Sequence, residues 1–133
     1  MSKTEYTNDG GVTETSVTDS FDSDDVAAFA DLSGDHNPLH LDAEYAAETR
    51  FGEPIVHGAL VTSLISAALA EFPGTVIFAE QTTEFRQPVF PGEVLTATAT
   101  VTNAVGPFTE LVTSVENEQS ELVVTGTAKI MID

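Results

Sequence analysis

Cysteine is absent from the chain, so neither a disulfide framework nor thiolate chemistry is open to it. Positive charge is nearly absent too. Lys3, Arg50, Arg86 and Lys129 stand against 22 Asp and Glu, which gives a formal charge of −18. A surface of that sign repels phosphate backbones and anionic bilayers, so neither nucleic acid nor a membrane is expected as a partner. Long apolar runs are missing as well. The longest nearly uncharged stretch, 58–70, has 13 residues and includes Thr62, Ser63 and Ser66. Spanning a bilayer takes about 20 apolar residues, so this stretch reads as a buried helix. The opening residues, MSKTEYTNDGG, hold no apolar signal-peptide segment, and a soluble, cytoplasmic protein is expected. No internal repeat or low-complexity tract is present.

What remains is enough for one domain. The chain has 133 residues, 41% of them hydrophobic, with eight Phe to build a core. Its acids run through the whole length and would repel one another in dilute buffer. Molar salt removes that repulsion, because the Debye length falls to about 3 Å at 1 M. The composition therefore suits a salt-adapted protein of a halophile's cytoplasm, with an ordinary acidic protein as the alternative reading.

Residues 1–11 are polar and acidic, end in Gly10-Gly11, and read as a flexible N-terminus ahead of a domain over 12–133. Thr and Val dominate 12–20, a first strand. Asp22 or Ser23 can cap a helix whose first turn carries Asp24 and Asp25, with Val26, Phe29 and Ala30 as its apolar face. The run Ser33-Gly34-Asp35-His36-Asn37-Pro38 breaks that helix. A short helix over 43–49, a loop over 50–54 and the long apolar helix over 58–72 follow, ended by Pro73-Gly74. Strands are expected at 76–87, around 95–102, at 109–117 and at 122–132. The clearest is the third of the chain, where Leu95, Ala97, Ala99 and Val101 alternate with Thr96, Thr98, Thr100 and Thr102. One long helix followed by four strands indicates an α+β class, an antiparallel sheet wrapped on a central helix.

Chemistry concentrates in 29–45, FADLSGDHNPLHLDAEY. Pro38 bars Asn37 from the α region, so the chain makes a fixed turn there. Such a turn can bring the Asp35 carboxylate and the His40 imidazole to one point, and the two suffice for acid/base work on water. Taken alone, Asp in a Gly-Asn-Pro loop is more often a turn former, and His a surface residue, than either is a catalytic group.

The wider pattern resembles the MaoC-like dehydratases and (R)-specific enoyl-CoA hydratases. Phe29, Ser33, Gly34, Asp35, Asn37, Pro38, Leu39, His40, Asp42 and Tyr45 match that signature in register. Pro54-Ile55-Val56-His57-Gly58 looks like the family's helix entry, and 85–92, FRQPVFPG, like its post-helix strand and turn. The resemblance runs from about residue 20 to 132. It implies a single hot-dog domain in which Asp35 and His40 are the catalytic pair. It also implies that Gly58 offers a backbone N–H to the thioester carbonyl and that Ser66 lines the water site. Asn37 falls with these two among the substrate-binding residues. The implied reaction adds water to a trans-2-enoyl-CoA, giving the (R)-3-hydroxyacyl-CoA. His40 would take a proton from water and Asp35 deliver one to C2, though the two can exchange roles.

The same resemblance implies a homodimer or higher homo-oligomer, and supply of polyhydroxyalkanoate monomers or a step of fatty-acid oxidation as the setting. No cofactor is expected, coenzyme A being part of the substrate. No metal is expected either, since the three His show neither HxH nor HExxH spacing. His36 reads as solvent-facing or gating, and His57 as fixing the helix entry. Arg86 either touches the CoA phosphates or pairs with nearby acids. Two alternatives share the fold. A hot-dog thioesterase would need an acid on the central helix, and 58–70 has none. A non-catalytic acyl-CoA-binding domain would not need the intact pair.

Overall fold

The Thr/apolar alternation of 94–105 places one face of a strand against the core and the other outward. In the structure, a computed structural model that describes residues 11–133, Leu95, Ala97, Ala99 and Val101 are buried while the threonines between them are half-buried or exposed. The expected flexible N-terminus falls, Gly11 excepted, outside the described residues.

The elements in chain order are β1 (Glu14–Ser20), α1 (Ser23–Ser33), α2 (Pro38–Leu41), α3 (Ala43–Ala47), α4 (Gly58–Ala70), β2 (Val76–Phe85), β3 (Val94–Val105), β4 (Phe108–Glu116) and β5 (Leu122–Ile132). The five strands form one antiparallel sheet in the order β1-β3-β4-β5-β2. Helix α4 lies on its inner face and sends Val61, Leu64, Ile65, Ala68 and Leu69 into the core. Full burial of a side chain of that size stabilises by about 1.5–3 kcal/mol. Ala97 and Ala99 supply little side-chain bulk beneath the helix, and the Thr15 hydroxyl ties β1 to it through the Ala68 carbonyl at 2.5 Å. The expected α+β class and sheet-on-helix architecture are what the structure shows. Among the described residues, no helix is long and apolar enough to cross a membrane.

Local signals placed most boundaries. Asp22 is the N-cap of α1 and forms a capping box with Asp25, and Gly34 ends the helix in the left-handed region (φ 83°). Several ends shift by up to three residues, α3 stopping at Ala47 and β2 at Phe85; two departures have a clear local cause. Helix α4 stops at Ala70 rather than reaching Phe72, because Glu71 and Phe72 bond back only three residues, to Ala68 and Leu69. The segment expected as a bare turn after Asn37 contains the four-residue helix α2. Pro38 sits at its first position, where a missing N–H costs nothing, and the Asn37 side chain caps it by accepting from the Leu39 N–H.

Candidate active site

The geometry of the Asp35–His40 segment is set by short-range hydrogen bonds. Asp35 Oδ1 accepts from the Asn37 N–H at 3.2 Å, and Asn37 Oδ1 accepts from the Leu39 N–H at 3.0 Å. The His40 N–H then returns to the Asn37 carbonyl at 3.0 Å. Asn37 itself is extended (φ −54°, ψ 124°), as Pro38 requires. Asn37 therefore shapes the loop, and no contact places it in the cavity described below.

Two long-range contacts then aim the pair. His40 Nδ1 lies 2.7 Å from the Ile55 carbonyl and donates to it, which leaves Nε2 as the free acceptor. His57 Nε2 lies 3.0 Å from the Asp35 main-chain carbonyl. The His57 ring is stacked on His40, centroids 3.9 Å apart, and meets the edge of Phe29 at 4.9 Å. As a result, one ligand atom each of Asp35, His40 and His57 lie within 4.8 Å of one another. That separation admits one water hydrogen-bonded to Asp35 and His40 together.

Beside the pair is a cavity of about 400 Å³ lined by His40, Gly58, apolar Ile55, Val56, Val61 and Val89, and the ring of Phe85. Gly58, the first residue of α4, is part of that lining. The Leu60 and Val61 N–H groups bond back to the His57 carbonyl, so the Gly58 and Ala59 N–H groups have no partner within the helix. His57, the N-cap, makes no side-chain capping bond that would use them. A Cβ at residue 58 would stand 2.7 Å from Phe85 Cε1 and Cζ, so glycine is what lets the strand's aromatic ring approach the helix start.

Of the residues singled out in the sequence, the structure brings Asp35 and His40 within reach of one another and places His40 and Gly58 in the lining of one cavity. Asp35 is exposed and stands beside the cavity rather than in its lining; Ser66 lies on the exposed side of α4, also outside that lining. Arg86 does line it, with Nη2 3.3 Å from Glu84 and Nε bonded to the Thr125 hydroxyl at 3.0 Å. Sequence reading passed over Arg50, which lines the same cavity with its guanidinium 5.2 Å from the Phe51 ring centroid. The chain has only two arginines, and the fold brings both to one cavity in a molecule of charge −18.

His36 turns away from the cavity. Its Nε2 lies 3.1 Å from Asp31 and its Nδ1 3.3 Å from the Gly34 carbonyl, so both nitrogens face acceptors. The Asp31 side chain above all holds its pKa above the ordinary 6.5; desolvation opposes this in part, and the Gly34 carbonyl adds a lesser upward push. A raised pKa stabilises the fold below the unfolded value and loses that contribution as pH rises through the folded one. At constant KCl, the melting midpoint of the wild type should fall slightly more than that of His36→Asn between about pH 5.5 and 8. Equal slopes would remove the His36–Asp31 pair from the account.

A five-stranded antiparallel sheet curled on one helix is the hot-dog fold, and solved structures share it. The (R)-hydratase of Aeromonas caviae, described as involved in PHA biosynthesis, is similar with a TM-score of 0.85 and 39% identity, over 90% of this chain and 94% of that one. The MaoC-like domain model matches residues 6–123, and the chain belongs to that family. Among its relatives, the (R)-specific enoyl-CoA hydratase of Aeromonas caviae is 43% identical over 116 residues, 84% of this chain and 87% of that protein. The enzyme of the same name from Rhodospirillum rubrum is 38% identical over 112 residues, covering 81% and 77% respectively.

Proposed function

We propose that the protein is an (R)-specific enoyl-CoA hydratase that adds water reversibly to trans-2-enoyl-CoA. The observation that carries this reading is the convergence of the Asp35 carboxylate and a His40 ring nitrogen beside an apolar cavity that borders the start of α4. His40 Nε2 takes a proton from a water held between the two side chains, and the water oxygen bonds to C3. The C2–C3 π electrons move onto the thioester oxygen, where the Gly58 N–H and the helix dipole stabilise the charge. The proton taken by His40 is relayed through the Asp35 carboxyl, which delivers it to C2 on the same face and leaves both side chains as they began. No metal or cofactor enters these steps, since the thioester acidifies C2 and helix N–H groups hold the enolate oxygen.

The test is incubation with crotonyl-CoA in concentrated KCl with EDTA present. Loss of the conjugated enone absorbance without free thiol is the expected result. Thiol release would assign a thioesterase, and no reaction would leave an acyl-CoA-binding domain.

The arginines extend the reading to the substrate's far end. Arg50 and Arg86 would meet the CoA phosphates at the cavity mouth. Each is exposed enough that alanine should raise KM about two- to fivefold with kcat unchanged. The effect should vanish with a thioester of N-acetylcysteamine, which has no phosphates. Equal losses on both substrates would reject the phosphate contact.

The working setting we infer is the cytoplasm of a salt-adapted cell, and the product class suits PHA monomer supply. A homodimer fits the edge strand β2, whose one side has no strand partner among the described residues and whose Ile77, Phe78 and Phe85 are 40%, 40% and 57% exposed. Light scattering in high salt tests it.

A further inference from the structure

We propose that His57 is a positioning residue for the reaction, aiming Asp35 through its main-chain carbonyl and backing the ring of His40; this rests on the hydratase reading above. His57 is 1% exposed, yet its position asks nothing polar of it. It is the N-cap of α4 and makes no side-chain capping bond, so helix initiation does not explain an imidazole there. Its Nδ1 is buried without a hydrogen-bond partner among the described residues, a cost that an apolar residue at the same place would avoid.

What the ring does contact is the dyad. Nε2–H donates to the Asp35 carbonyl at 3.0 Å across 22 residues of chain, and the ring lies 3.9 Å from that of His40 at an interplanar angle of 29°. Asp35 is exposed, and apart from its own loop this is the contact that fixes its backbone. The residue next to His57 in the chain is Gly58, whose N–H faces the developing oxyanion on the reading above. One rigid, buried side chain thus sets acid, base and oxyanion donor relative to one another. Such a role places it behind the reacting atoms, with no contact to substrate.

Two variants test this. Asn is a preferred N-cap residue, so His57→Asn keeps a competent helix start, but its side chain is too short to reach the Asp35 carbonyl. His57→Gln restores an amide N–H at greater reach. With crotonyl-CoA in high KCl, His57→Asn should lower kcat per folded molecule roughly ten- to a hundredfold, as a misplacement on the order of 1 Å can. KM should stay within about twofold, because the loss falls on the transition state alone. His57→Gln should recover part of kcat. The proposal is overturned if His57→Asn keeps wild-type kcat, if its loss appears in KM instead, or if Gln does no better than Asn. Inactive wild-type enzyme would instead reject the hydratase reading, so the two failures are distinct.

Discussion

Replacing Asp35 by Asn, or His40 by Gln, should lower kcat for crotonyl-CoA hydration by about 10²–10⁴-fold, the range that a positioned acid or base contributes. Neither change should unfold the protein. Asp35 is exposed, and its side chain accepts one hydrogen bond, from the Asn37 N–H, which an amide oxygen accepts equally well. His40 is only half-buried, and Gln retains an N–H to offer toward the Ile55 carbonyl. KM should change little in both, since neither side chain is needed to hold the acyl chain or CoA. The double variant should be scarcely worse than either single one, because two groups acting on one water fail together. Full retention of rate in either single variant would move the chemistry elsewhere, and multiplicative losses would mean the two act on separate steps. The measurement is initial-rate kinetics in high KCl, with circular dichroism confirming equal folded fractions.

Dilution from molar KCl to low salt should cost the protein its activity and its cooperative melting transition. The structure gives the reason. Every described Asp and Glu is exposed except Glu93 and Glu110, which are half-buried, and among the described residues direct ion pairs with Arg or Lys involve only Glu84 and Glu80. Each like-charged pair 10 Å apart costs about 0.4 kcal/mol in water without salt. A few tens of such pairs match the whole stability of an ordinary domain, about 5–15 kcal/mol. At 2 M the Debye length is well under the 3 Å of a molar solution, so the same pairs cost almost nothing. The melting midpoint should therefore climb steeply up to about 1 M KCl and more gently beyond. A midpoint independent of salt would show that the acids are solvating decoration without an energetic role.

Much of this fold was legible because it is local. The alternation in β3, the Asp22 cap of α1 and the Gly34 stop are each decided by residues within one turn or one pleat. The Asp35/His40 pair was legible for a different reason: several separated motifs stood in order around it. Helix α2 was missed because the rule that Pro38 breaks a helix is also the rule that Pro begins one. His57 as the hub behind the pair, Phe85 over Gly58 and Arg50 in the cavity were out of reach for another cause. They meet their partners only through sheet curvature and the packing of α4, over separations that no window of sequence holds.

The hydrogen bonds of the dyad loop divide by range in a way that bears on folding. Those that set the spacing of Asp35 and His40 close over two or three residues, while those that aim the pair close over 15 and 22. On the logarithmic loop law, the longest closure costs about 2 kcal/mol more entropy than a three-residue one. An unfolded chain can therefore sample the turn cheaply and repeatedly, yet it gains no competent site by doing so. Competence arrives only when the start of α4 reaches the loop, so regained activity times the docking of the helix rather than the making of the turn.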